Sequence, residues 1–277
     1  MMNNRRVCAI LLTLALACSL PFAALAETRL DKVLSSGKLT VATSPDFAPS
    51  EFIDPTKTGQ EAIVGREMLL ARYIAAELGV ELVIESMDFS AVQGAVAQAK
   101  VDLGISGFSP TPERAESMEL SDSYTFEEVE HEQGFLVLKA DIDKYAALED
   151  FAGKKIAAQN GSLQQTLVTT QTPDAKIELI TSLNDAVMML ITGKVDALAT
   201  AVTVGEEFAA NYPDIQIANT YFDYRSPGNV VMATKGEVEL IAKVNEIIAK
   251  AVEEGKMEQW VEEIAELTES LAINSEE

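Results

Sequence analysis

Gly107, Ser109, Thr111 and Arg114 fall within one short stretch of the chain, and residues of these types can together hold an anion. An arginine offers a planar fork that meets a carboxylate through two parallel hydrogen bonds. The hydroxyls of Ser109 and Thr111 add donors, and Gly107, having no side chain, lets a ligand approach the backbone. Thr111 is a good helix N-cap, Pro112 fits the first helical position, and Glu113 suits the positive end of the helix. A small carboxylate could dock on such a turn. The competing reading is an ordinary helix start with a solvated arginine, so the surrounding elements must decide.

Asp102 to Ser106, just upstream, is a short apolar run of the kind buried in a parallel sheet. Before it, Leu30 to Ser36 reads as a helix stopped by Gly37, and Lys38 to Thr43 as a strand. The loop from Ser44 to Phe52 carries Phe47 and Phe52 among turn formers. Either aromatic could wall a pocket or plug the end of the core. Apolar residues at 68, 69, 71, 74, 75 and 78 mark a helix from Gly65 to Leu78, closed by Gly79. Val80 to Ile84 and Phe89 to Ala99 continue as strand and helix. Such alternation predicts parallel strands joined by helices, with ligands beyond the carboxyl ends of the strands.

The plan then recurs. Gly37 to Ala42 is echoed by Gly153 to Ala158, and Lys100 to Ile105 by Lys194 to Ala199. Two copies are too few for a solenoid, so two α/β lobes facing a cleft are expected, and the cleft is the default ligand site. Gly134 to Lys139 is an apolar strand expected to cross between lobes. A return near 222–225 would lead into Gly228 to Met232 and bring helices at 238–251 and 257–267 back over the first lobe. Trp260 reads as core. The expected division is a signal peptide at 1–26, lobe 1 at 27–136 and 225–277, and lobe 2 at 137–224.

Arg5 and Arg6, the apolar run from Val7 to Leu20 and the Ala24-Leu25-Ala26 sequence form a secretory signal, too short to span a bilayer. Periplasmic or extracellular export follows. Lipidation at Cys18 is disfavoured because Ala15 stands where leucine is usual. Cleavage after Ala26 removes both cysteines, Cys8 and Cys18, and with them disulfide and thiol chemistry. The formal charge of −23 repels nucleic acid and anionic lipid. With 48% hydrophobic residues the chain can bury a full core, so its acidity belongs to the surface.

Taken in order, the motifs resemble the extracytoplasmic amino-acid-binding proteins of ABC transporters, the bacterial solute-binding proteins of family 3. The resemblance rests on the Gly37-Lys38-Leu39 strand with its aromatic-proline loop, Val64-Gly65, Ser106 to Ser109 with Thr111 and Arg114, and Leu120-Ser121 with Tyr124. It continues through the Asp150 to Lys155 turn, Asn160-Gly161-Ser162, Gly193 to Asp196, and Gly255 to Met257 with Trp260. It implies a type II periplasmic-binding-protein-like clamp of two α/β lobes with two hinge crossings. It further implies a protein that takes a small polar amino acid or related carboxylate and presents it to membrane subunits; a monomer is expected, and with no metal-spaced His/Asp cluster in the sequence, no metal and no cofactor. Gly107, Ser109 and Arg114 would hold the ligand carboxylate, Ser162 would contribute from the second lobe, and Phe47 would form an aromatic wall. Asp185 lies in another loop typical of the family's pocket. Gln159 and Asn160 begin a turn facing the same cleft.

Two positions depart from the family pattern. Ala201 stands where an aspartate usually pairs with the ligand ammonium, and a buried ammonium without a partner is costly. Glu51, Glu67 and Asp46 are candidates to replace it, each against an ordinary role as surface charge. Arg66 and Glu67 follow Gly65 where Phe-Asp is common, and Arg66 reads as helix surface. The alternatives are an enzyme on the same fold, such as a cyclohexadienyl dehydratase-like lyase, or a sensory protein that presents its ligand. Chemistry is poorly supplied: the single histidine, His131, sits among Glu128, Glu130 and Glu132 and reads as part of a solvated acidic run. Nothing like a membrane span or kinase module follows Leu271.

Overall fold

The computed structural model describes residues 27–126, 129–130 and 132–275, with side chains as far as Leu271. The expected signal peptide, Cys8, Cys18, Glu128 and His131 lie outside the described residues. Two five-stranded sheets form the frame. In the first, Lys38–Thr43 lies parallel between Glu81–Ser86 and Leu103–Phe108, while Val230–Thr234 runs antiparallel to Leu103–Phe108 and pairs with Met118–Leu120. In the second, Lys155–Gln159 lies parallel between Lys176–Ile180 and Ala197–Ala201. Gln133–Leu138 then runs antiparallel to Ala197–Ala201 and to Ile215–Tyr221.

The internal echo therefore has a structural meaning. Each sheet opens with three parallel strands linked by helices and is extended by an antiparallel strand. Even a small detail recurs. Asp102 accepts the Thr40 backbone N–H at 2.7 Å, and Asp196 accepts that of Lys155 at 2.8 Å, so an aspartate before the third strand pins the first in both sheets.

The Arg66–Leu78, Val238–Glu253 and Lys256–Ser275 helices pack together on the first sheet. Trp260 is buried there beside Tyr73 and Phe126. No helix among the described residues is long and apolar enough to cross a membrane.

The crossings differ from expectation at one end. The boundary expected at 136 falls inside Gln133–Leu138, all of which pairs in the second sheet. An apolar run reports burial, not which core receives it, so the outgoing crossing lies before Gln133. Tyr124 and Asn229 mark where the two crossings meet the first sheet. Each donates its backbone N–H to the other's carbonyl, at 2.9 and 2.7 Å.

Candidate functional site

Thr111 caps the Pro112–Ser117 helix by accepting the Arg114 N–H at 3.3 Å. That short helix turns Arg114 inward, where it is only 5% exposed. Its guanidinium lies 5.1 Å from the Phe108 ring and 5.6 Å from that of Phe89, an arrangement that places the cation against two aromatic faces. Burial lowers its pKa to about 10, which keeps it charged at neutral pH.

Arg114 donates from Nη1 to the Ser109 carbonyl at 2.7 Å, from Nη2 to the Gly161 carbonyl at 3.0 Å, and from Nε to Gln93 at 3.4 Å. An arginine has five donors. One N–H on each terminal nitrogen is left for a further acceptor, which is what a bidentate carboxylate needs. Because Gly161 belongs to the second lobe, the same side chain also touches both walls.

A cavity of about 490 Å³ opens between the sheets, lined by Phe47, Gly107, Ser109 and Arg114 together with Phe89 and Ser106 from the first lobe. The second lobe adds Gln159, Gln164 and Ala201. Gly107 has φ +56°, and a Cβ there would sit 3.3 Å from the Phe47 ring and 3.9 Å from a Glu51 oxygen. The ring and the carboxylate thus lean over bare backbone. Of the other residues read as ligand contacts, Phe52 is half-buried in a strand paired with Val64 and does not line the cavity. Asn160 and Asp185 are exposed and away from it. Ser162 caps the Leu163–Gln171 helix through the Gln165 N–H, leaving Leu163 and Gln164 to face the cleft.

Of the three acids read as surface charge, Glu51 and Glu67 are buried and Asp46 is half-buried. Glu51 is 1% exposed and accepts the Ser106 hydroxyl at 2.8 Å through Oε1, whereas its Oε2 has no hydrogen-bond partner. Burial, reinforced by neighbouring Glu67, pushes its pKa well above the ordinary carboxyl range. Glu67 accepts Tyr124 Oη at 2.6 Å and Asn229 Nδ2 at 3.0 Å, and burial raises its pKa to about 7.

Arg66 also contradicts its surface reading, being 5% exposed, on the cavity wall, with its guanidinium 5.4 Å from the Phe126 ring. The cause is local. The backbone N–H groups of Arg66 and Glu67 donate to the carbonyls of Pro49 and Ser50, docking the helix start onto the aromatic loop. Gly65, at φ +122°, permits that approach; a Cβ there would strike the Ser50 carbonyl.

Asp46 spans the cleft. It accepts the Leu183 N–H at 2.9 Å and Gln159 Nε2 at 3.2 Å, both from the second lobe. These bonds exist only when the lobes approach, so Asp46→Ala should favour the open clamp and weaken ligand binding by about tenfold, in line with one charge-assisted bond. Titration calorimetry would read the affinity and solution scattering the opening. Unchanged values in both would refute the latch.

This chain matches the family model of bacterial extracellular solute-binding proteins, family 3, over residues 39–264. It belongs to that family. Among its relatives, the Arginine-binding extracellular protein ArtP of Bacillus subtilis (strain 168) is 28% identical over 80% of this chain and 84% of its own. The solved amino acid ABC transporter substrate-binding protein AbpA of Streptococcus pneumoniae, bound to L-arginine, superposes with a TM-score of 0.79 and 33% identity. That match covers 86% of this chain and 98% of AbpA. The ancestral amino acid-binding protein AncCDT-1, described as a precursor of cyclohexadienyl dehydratase, gives 0.72 and 26%, covering 84% and 98%. The expected two-lobed α/β class and the solute-binding family therefore hold for this chain.

Proposed function

We propose that this family 3 protein captures an amino acid outside the cytoplasmic membrane, closes its two lobes over it, and delivers it to the membrane subunits of an ABC importer. The observation that carries the reading is Arg114, a buried guanidinium with donors to spare at the mouth of a cavity shared by both lobes. Closure removes water from a carboxylate held there and strengthens the pair.

A cationic side chain is the best-supported ligand feature, with arginine the first candidate. Phe47, on the cavity wall, offers an aromatic face to such a cation. Relatives named for arginine binding point the same way. Capture is favoured over catalysis because those relatives carry transport names. AncCDT-1 is itself described as an amino acid-binding protein.

A thermal-shift screen of the purified protein against the standard amino acids tests this reading. Ligand at about 100 times Kd adds about 2.7 kcal/mol of stability. Arginine or another cationic amino acid should give the largest shift and survive incubation unchanged. Turnover of the ligand, or no shift with any amino acid, would overturn the proposal.

A further inference from the structure

An amino acid brings a positive ammonium as well as a carboxylate into the cleft, and burying that charge without a counter-charge is costly. The strands and helices of the second lobe that line the cavity do not supply one: Gln133, Gln159, Gln164, Ala201 and Thr203 are all neutral. Among the described residues lining the cavity, the charged ones are Arg66, Arg114, Arg225 and Glu132, so Glu132 is the one carboxylate on the wall.

Its position is fixed with respect to Ala201. Gln133 pairs directly with Ala201 across neighbouring strands, and the Val202 N–H donates to the Glu132 carbonyl at 3.0 Å. Glu132 therefore sits one residue beyond Ala201's partner, at the strand entrance. Its side chain is 19% exposed. Oε2 accepts the Ser226 N–H at 2.7 Å, which ties the carboxylate to the returning crossing. Oε1 lies 4.0 Å from Arg225 Nη1, at the limit of an ion pair, and the Arg225 side chain is 71% exposed, so water screens most of that attraction. A carboxylate has about four acceptor sites, and this one retains capacity facing the cavity. Ala201 lines the same cavity and, being alanine, brings no charge of its own to it.

We propose that Glu132, from the neighbouring strand, is the specificity residue that receives the ligand ammonium, in place of a carboxylate at 201. This rests on the amino-acid reading given above. It makes the ammonium site a product of the hinge region, since Glu132 joins the outgoing strand to the returning one. Lobe closure and ammonium recognition would then share one side chain.

The test compares L-arginine with 5-guanidinopentanoate, which is arginine without its α-ammonium, by titration calorimetry on wild type and Glu132→Gln. Glutamine preserves the acceptor for the Ser226 N–H and removes only the charge. Arginine affinity should fall at least about tenfold, as for loss of one partner of a close charge pair, while affinity for 5-guanidinopentanoate stays within about twofold. Adding Ala201→Asp to Glu132→Gln should restore arginine binding. Unchanged arginine affinity overturns the inference. So does an equal loss for both ligands, which would make Glu132 a hinge tie and nothing more. A wild type that binds neither compound overturns the underlying reading of the ligand as an arginine-like amino acid, and this inference with it; that failure is recognisable because it precedes any substitution.

Discussion

Arg114→Ala should weaken amino-acid binding severely, with at least about a 25-fold rise in Kd, while the protein still unfolds cooperatively. Truncating one partner of a desolvated, hydrogen-bonded charge pair costs roughly 2–5 kcal/mol, and each 1.4 kcal/mol is tenfold. The side chain packs against Phe89 and Phe108 and bonds the Ser109 and Gly161 carbonyls, so some stability is lost too. That loss is limited because both carbonyls border a cleft that water can enter.

Arg114→Lys separates charge from geometry. Lysine keeps the cation and loses the fork, so its affinity should fall between those of wild type and the alanine variant. Titration calorimetry gives affinity, and solution scattering shows whether the lobes still close. An alanine variant that binds its ligand as tightly as wild type would remove the carboxylate site from the proposed mechanism.

Local chemistry made one side of this cleft legible. Thr111, Pro112 and Arg114 announce a capped helix start after a buried strand, and the fold places all three there. The echo of Gly37 in Gly153, and of Asp102 in Asp196, announced two sheets of like plan. What the sequence concealed is contact between segments far apart in the chain. The apolar period of the Arg66–Leu78 helix begins only at Met68, so it says nothing of first-turn residues. Arg66 and Glu67 turn inward because Pro49 and Ser50 receive their backbone N–H groups. Asn160 and Asp185 fail to reach the cavity for a related reason. A turn at the end of a strand has two sides, and composition does not choose between them. Glu132 was hidden differently, as one acid within an acidic run, until strand register set it beside the Ala201–Val202 segment.

The buried acids make a second large prediction, that the protein loses stability as pH rises through neutrality and that Glu67→Gln suppresses much of the loss. Burial is the leading cause of the Glu67 shift, from 4.5 to about 7, and the hydrogen bonds from Tyr124 and Asn229 recover only part of it. A carboxyl whose pKa is raised by folding contributes its full share of stability below about pH 4.5. That share is lost as the pH climbs through about 7, where the folded protein must release a proton it holds more tightly than the unfolded chain does. The shift corresponds to about 3 kcal/mol at its full extent. Glu51 acts in the same direction. Glutamine at 67 keeps an oxygen for Tyr124 or Asn229 and has no charge to bury, so wild type and variant should be similar near pH 5 and diverge by about pH 8, the variant being the more stable. Denaturant unfolding across that range reads the divergence directly. Parallel curves would mean that Glu67 is ionised throughout and that its two hydrogen bonds, with nearby Arg66, outweigh its burial. Divergence would instead locate the pH dependence beneath the hinge, because the Tyr124 and Asn229 side chains that Glu67 ties together belong to residues whose backbones pair across the two crossings.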